Sequence, residues 1–180
     1  MEKDAKKKGG SLRLFLAIPF TAAVRNELKK VMAGMRRQGA SGRFTKEENL
    51  HLTLVFFGET TRAEEIADAL RAVPLPVIRL AFDRIGRFGS LYWIGLRDNP
   101  ALDDYVGDLR RALEKRAVPF DRKAFKPHVT LLRRGHVRRP LRLAVPTCSM
   151  PVNEVLLMRS DRVDGGMRYT AVAAQRRKRR

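Results

Sequence analysis

Two of the three histidines in this 180-residue chain sit in the same four-residue phrase. His51-Leu52-Thr53-Leu54 and His128-Val129-Thr130-Leu131 both read His-apolar-Thr-Leu. An imidazole has an ordinary pKa of about 6.5, so a pair can hold one neutral and one protonated ring near neutral pH. One ring then serves as general base and the other as general acid on opposite sides of a bound group. In-line displacement at phosphorus needs that pair: the base activates the nucleophile and the acid protonates the leaving oxygen. Threonine hydroxyls suit the non-bridging oxygens, because they donate hydrogen bonds where charge develops. The scheme requires no metal and no cofactor. A zinc site is a weaker rival, since His136 is the only other imidazole and a carboxylate would have to complete the set.

Strands are the elements that can present these groups together. Residues two apart on a strand share a face, so His51 and Thr53 face one way while Leu52 and Leu54 face the other. His128 and Thr130 divide from Val129 and Leu131 in the same manner. By the same parity Phe57 joins His51 and Thr53, where it either stacks on a base at the cleft rim or packs in the core. Strict alternation turns Arg134, rather than Arg133, toward the open face.

The surrounding pattern supplies the frame. Ser11 to Pro19 reads as a buried strand, and Thr21 caps a helix whose apolar face is Val24, Leu28, Val31, Met32 and Met35, with Gly39 as its stop. Arg43 to Glu48 reads as a polar turn before the strand Leu50 to Phe57. A helix over about 61–73 with Thr60 as cap, strands at 77–88 and 90–97, and a helix opened by Asp98-Asn99-Pro100 follow. Beyond the second phrase come strands at 152–159 and 167–174 around Gly165-Gly166. The two phrases lie 77 residues apart, and sliding the chain by 77 also sets Leu14 to Ala17 on Leu91 to Ile94 and the first helix on the third. A duplicated strand, helix, loop, His-x-Thr strand unit is the simplest account. Related halves packed about a pseudo-twofold axis would bring the phrases face to face.

Composition sets the outer limits. The length suits one domain, expected over residues 11–174, after a disordered basic lead-in at 1–10 and before a basic tail at 175–180. The formal charge is +19, with 38 Lys and Arg against 19 Asp and Glu, and about +12 of it remains once the two ends are set aside. A body that basic points to a polyanionic partner, of which nucleic acid is the commonest. Cys148 is alone, so no internal disulfide and no cysteine-rich zinc site can form, and a reducing, cytoplasmic compartment is expected. No apolar run reaches the ~18 residues of a membrane helix, so no membrane partner is expected. Five arginines between Arg133 and Arg142, with no acid among them, are placed either to track an RNA backbone or to form a solvated loop.

At the level of motifs, HLTLVFFGE (His51 to Glu59) and PHVTLLR (Pro127 to Arg133) resemble the two signatures of the 2H phosphoesterase superfamily. The closer resemblance is to its RNA 2',3'-cyclic phosphodiesterase branch, also called 2'-5' RNA ligase. RLFLAIP (Arg13 to Pro19) looks like that branch's first strand, and LLMRS with GGMRYT looks like its last two. The resemblance implies an α+β, bilobal duplicated fold in which two mainly antiparallel sheets flank a central cleft with helices on the outer faces. It implies metal-independent hydrolysis of RNA 2',3'-cyclic phosphate termini to 2'-phosphomonoesters, with reversible 2'-5' ligation. His51 and His128 would be the catalytic pair, Thr53 and Thr130 the phosphate-binding hydroxyls, and Arg133 the arginine that ends the second signature. On this view His51 is the acid and His128 the base, with the reverse left open by the pseudo-symmetry. The expected partners are RNA with cyclic phosphate ends or cyclic nucleotides, met by a monomer. The rival expectation is a basic RNA-binding protein that keeps the fold without the chemistry.

Overall fold

The apolar runs and caps named above do form the frame, as a computed structural model describing residues 10–177 makes plain. The rest of the expected lead-in (1–9) and the last three residues of the expected tail (178–180) lie outside the described residues. The chain runs β1 (Leu12–Pro19), α1 (Ala22–Arg37), β2 (Ser41–Phe44), a 3-10 turn (Glu47–Asn49), β3 (His51–Thr60) and α2 (Ala63–Ala72). It continues through β4 (Arg79–Phe88), β5 (Leu91–Leu96), α3 (Pro100–Glu114), β6 (His128–His136), β7 (Ser149–Pro151), β8 (Glu154–Val163) and β9 (Gly166–Arg176). Two antiparallel sheets result, one ordered β3-β1-β8-β9 and the other β2-β6-β5-β4-β7. No helix among the described residues is long and apolar enough to cross a membrane.

Local chemistry explains the helix limits. The Thr21 side chain accepts from the Val24 amide, and α1 ends where Gly39 takes φ 84° and the amides of Gly39 and Ala40 reach back to the carbonyls of Arg36 and Met35. That paired closure needs a residue free to enter the left-handed region, which glycine does without a Cβ clash. Asn99 caps α3 through Leu102, with proline at the first turn where its missing N–H costs nothing. Thr60 does not cap α2. Its hydroxyl accepts from the Arg62 amide in a preceding turn, and the helix starts at Ala63.

A single hydrophobic core joins the halves, with Leu14, Leu16 and Ile18 of β1, Ile94 and Leu96 of β5, and the buried faces of all three helices in one cluster. The helices cross over. α1 packs against β6, and its Arg36 guanidinium lies 3.9 Å from the Phe44 ring of β2, whereas α3 packs against β3 and α2. Each half therefore covers the other half's sheet.

The duplication holds, but not at one register. Ala17 opposes Thr53 and Pro19 opposes His51, as Trp93 opposes Thr130 and Gly95 opposes His128. The equivalent of Ala17 is thus Trp93, an offset of 76, and the equivalents of Val24, Leu28 and Met35 on the buried helix face are Leu102, Val106 and Leu113, an offset of 78. The expected shift of 77 is right for the phrases and wrong by one for the first strand and the helix. Inserted and deleted loop residues cancel between them, so a single slide of the sequence hides both.

Two further expectations change. Arg43 belongs to no turn: β2 is a short edge strand with Arg43 opposite Arg133 and Phe44 opposite Leu132. The expected tail also begins too early, because Gln175 and Arg176 continue β9 opposite Val155 and Glu154.

Candidate active site

Both histidines stand at the first residue of their strands and are held in the same way. His51 Nδ1 lies 2.7 Å from the Asn49 carbonyl, and His128 Nδ1 lies 2.6 Å from the Lys126 carbonyl. A carbonyl can only accept, so each Nδ1 carries its proton and donates. Nε2 is then the atom that gains or loses a proton in both rings. His51 Nε2 lies 3.0 Å from Thr53 Oγ1.

The two rings have different surroundings. His51 is packed between Phe15, with centroids 4.9 Å apart, and the edge-on ring of Tyr169 at 5.2 Å. Burial lowers its pKa below the ordinary imidazole value, the Asn49 carbonyl opposes that effect, and the positive charge of Arg133 adds to the lowering. His128 meets Phe88 edge-on at 5.6 Å and Trp93 at 6.3 Å.

A β-bulge recurs in both phrases and decides which residues follow the threonines into the cleft. Ala17 pairs with Thr53 and Leu16 with Val55, which skips Leu54; Trp93 pairs with Thr130 and Tyr92 with Leu132, which skips Leu131. The fourth residue of each phrase is the extra one, and a bulge places two neighbours on one side. Leu54 and Val55 are accordingly both buried, as are Leu131 and Leu132. Beyond the bulge the parity is inverted. Phe57 therefore packs against the core, and Phe56 takes the cleft side opposite Phe15, with the Arg13 guanidinium 4.8 Å from its ring. Of the two readings of Phe57, packing against the core is the one its surroundings match, and Phe56 lines the cavity. The equivalent residue in the second half is Arg133, whose charge reaches His51. Arg134, which strict alternation favours, follows it with a left-handed φ of 50°.

Thr53 and Phe56 of the first half and His128 of the second line one cavity of about 550 Å³, together with Phe88, Arg110 and the loop from Lys123 to Lys126. The amide of Asp121 ties that loop to the Phe56 carbonyl at 2.8 Å. Thr130 lies on the strand that carries His128, and its carbonyl accepts from the Thr45 hydroxyl at 2.8 Å. The arrangement offers two imidazoles anchored through Nδ1, the Nε2 of His51 in hydrogen-bond contact with the Thr53 hydroxyl, and a guanidinium whose charge reaches His51.

Asn49 and Tyr169 have roles that the motifs alone do not show. Asn49 is the one buried polar residue among those described, and its Nδ2 donates to the Met167 carbonyl at 2.8 Å. That bond pins the 3-10 turn to β9, and with it the carbonyl that orients His51. A lone polar residue two positions before a phrase is the available signal. Tyr169 has none, because only the β8–β9 pairing brings it across β1 to His51.

A duplicated α+β frame with one His-x-Thr strand per half defines a class, and a sequence model of that class matches residues 22–164: the chain belongs to the 2'-5' RNA ligase superfamily. Among relatives, the chain is 31% identical over 163 residues to the RNA 2',3'-cyclic phosphodiesterase of Escherichia coli K12, covering 88% of this chain and 92% of that protein. The protein of the same name from Archaeoglobus fulgidus is 30% identical over 136 residues, covering 71% and 74%. Among solved structures, E. coli LigT complexed with 3'-AMP superposes with a TM-score of 0.81 at 26% identity, covering 94% of this chain and 99% of that one. Its apo form gives 0.79 at 28% identity, with the same coverage.

Proposed function

We propose that this protein hydrolyses 2',3'-cyclic phosphate ends of RNA, or cyclic nucleotides, to 2'-phosphomonoesters by metal-independent acid–base catalysis. The observation that carries the reading is the recurrence of one construction in both halves: an imidazole at a strand start, with Nδ1 donating to a backbone carbonyl so that Nε2 is the nitrogen that exchanges a proton. Family membership and relatives named RNA 2',3'-cyclic phosphodiesterase support it. His128 accepts a proton from water through Nε2 as the oxygen attacks phosphorus. The bond from phosphorus to O3' breaks, and His51 delivers its Nε2 proton to that oxygen, which leaves as the 3'-hydroxyl. Burial makes the His51 imidazolium scarcer but a stronger acid, and the anionic phosphate beside it restores part of its proton affinity. Thr53, Thr130 and Arg133 hold the non-bridging oxygens, and Phe56 stacks on the terminal base. A 5'-hydroxyl in place of the water turns the same displacement into 2'-5' ligation. The enzyme acts as a monomer in the cytoplasm, where the lone Cys148 stays reduced.

The deciding experiment is turnover of a 2',3'-cyclic nucleotide in EDTA, with the product identified as the 2'-phosphate. RNA binding without turnover would instead favour a non-catalytic RNA-binding protein. A bell-shaped kcat/KM profile is expected, and its acid limb belongs to His51 in the free protein. Because the His51 pKa is lowered, that limb falls below the ordinary imidazole value of about 6.5, and activity persists into more acidic solution than two unperturbed rings would allow. A flat profile from pH 5 to 9 would contradict the pair. A substrate with a nitrophenolate leaving group needs no protonation, so it should rescue His51→Ala and leave His128→Ala inactive.

Phe56 and Phe57 separate on two measurements. Phe56→Ala is expected to raise KM roughly fivefold to a hundredfold, the effect of losing one base stack, with little change in melting temperature. Phe57→Ala is expected to leave KM alone and to lower stability by about 1–3 kcal/mol, read by denaturant unfolding.

A further inference from the structure

Phe88 closes β4 just before the turn at Gly89 and is 48% exposed, an unusual place for a large apolar ring. It leans on Trp93, with centroids 4.9 Å apart, and meets His128 edge-on. Trp93 lies beneath it, so close to Gly86 that an added β-carbon there would fall 2.4 Å from the indole. The Arg84 guanidinium is 5.9 Å from the same indole. Arg84 also lines a second cavity, of about 620 Å³, with Arg87, Tyr92, Arg138, Arg139 and Leu141. The only carboxylate that pairs with any of these arginines among the described residues is Asp83, 3.6 Å from Arg84. A path of exposed aromatic surface followed by guanidinium groups, of which only that of Arg84 has a carboxylate partner among the described residues, thus leads from His128 out of the cleft.

We infer that this path holds the RNA strand on the 5' side of the reacting end, with a base on Phe88 and the backbone phosphates along Arg84, Arg87, Arg138 and Arg139. The inference rests on the reaction proposed above and narrows its substrate to RNA chains rather than free cyclic nucleotides. A cyclic phosphate closes the 3' end, so all other nucleotides must leave the cleft in the 5' direction. An aromatic face followed by a positive groove is what single-stranded nucleic acid requires: π-faces for bases and cations for phosphates. The two arginines from the loop after β6 and the two from β4 converge on one groove only because the loop folds back over β4. Four of the five arginines that end the basic run in the sequence lie beyond Arg133, and two of them are the ones assigned here.

The test compares a cyclic mononucleotide with a short oligonucleotide ending in a 2',3'-cyclic phosphate, in the wild type and in the triple variant Arg87→Ala, Arg138→Ala, Arg139→Ala. The wild type should prefer the oligonucleotide by about tenfold or more in kcat/KM at low salt, and the preference should shrink as salt rises. The triple variant should lose most of that preference while its mononucleotide turnover stays within about twofold of wild type. Equal losses on both substrates, or an undiminished preference, would overturn the assignment. Absence of turnover of both substrates in the wild type would count against the proposed reaction and not against the groove. The groove is then read by fluorescence anisotropy with an oligonucleotide bearing an unreactive 3'-phosphate. Weaker binding by the triple variant, with a log–log salt slope flatter by about 0.7 for each phosphate that is no longer neutralised, supports it. Equal binding by the two proteins overturns it.

Discussion

Turnover of a 2',3'-cyclic nucleotide is expected to fall by about 10²–10⁴-fold in His128→Ala, and by a similar factor in His51→Ala, the usual effect of removing one general acid or base. Both side chains sit at strand starts on the open face, and neither is among the buried core residues, so the sheets should survive the substitutions. Single-turnover rates with saturating substrate, beside melting curves, separate lost chemistry from lost fold. The double variant should be little slower than the worse single one, because a base without its acid partner already leaves one proton transfer to water. Either single variant turning over at wild-type rate would remove that ring from the reaction.

The second large effect is expected at Arg133. Arg133→Ala should lower kcat/KM by about 10–100-fold, as for loss of a charge-assisted hydrogen bond of about 1.5–3 kcal/mol. The same substitution has an electrostatic signature. The Arg133 charge is one cause of the lowered His51 pKa, so its removal should move the acid limb of the pH profile upward. The limb should stay below the ordinary imidazole value, because burial is the larger cause and remains. Arg134→Ala should change neither rate nor limb. A reversed result, with Arg134 sensitive and Arg133 silent, would mean that strand parity continues unbroken through the second phrase.

That parity marks where the sequence stops being sufficient. The elements and their faces are legible wherever apolar spacing is unambiguous, as in α1, α3 and the His-x-Thr pairs themselves. The alternation rule then offers Phe57 and Arg134 to the cleft, and one feature inverts the parity behind both offers. The leucine that closes each phrase is a bulge residue, and two adjacent buried apolar residues (Leu54-Val55, Leu131-Leu132) look no different in sequence from a strand buried on both faces. The resemblance of PHVTLLR to a known signature points to Arg133, and the bulge supplies the physical reason. The imidazole anchors are invisible in sequence because they are backbone carbonyls. Edge strand β2 is hidden because Ser41-Gly42-Arg43 has the composition of a turn and becomes a strand only against β6.

The crossed helices have a bearing on how the protein works as a machine. Since α1 covers the sheet of the second half and α3 that of the first, and one core runs through both, the lobes cannot swing apart as doors on a hinge. The span between the two imidazoles is thus a property of the folded core rather than of a hinge between lobes. A phosphate group must fit the gap that this core sets. The halves share one core, and the cleft between them is built into it.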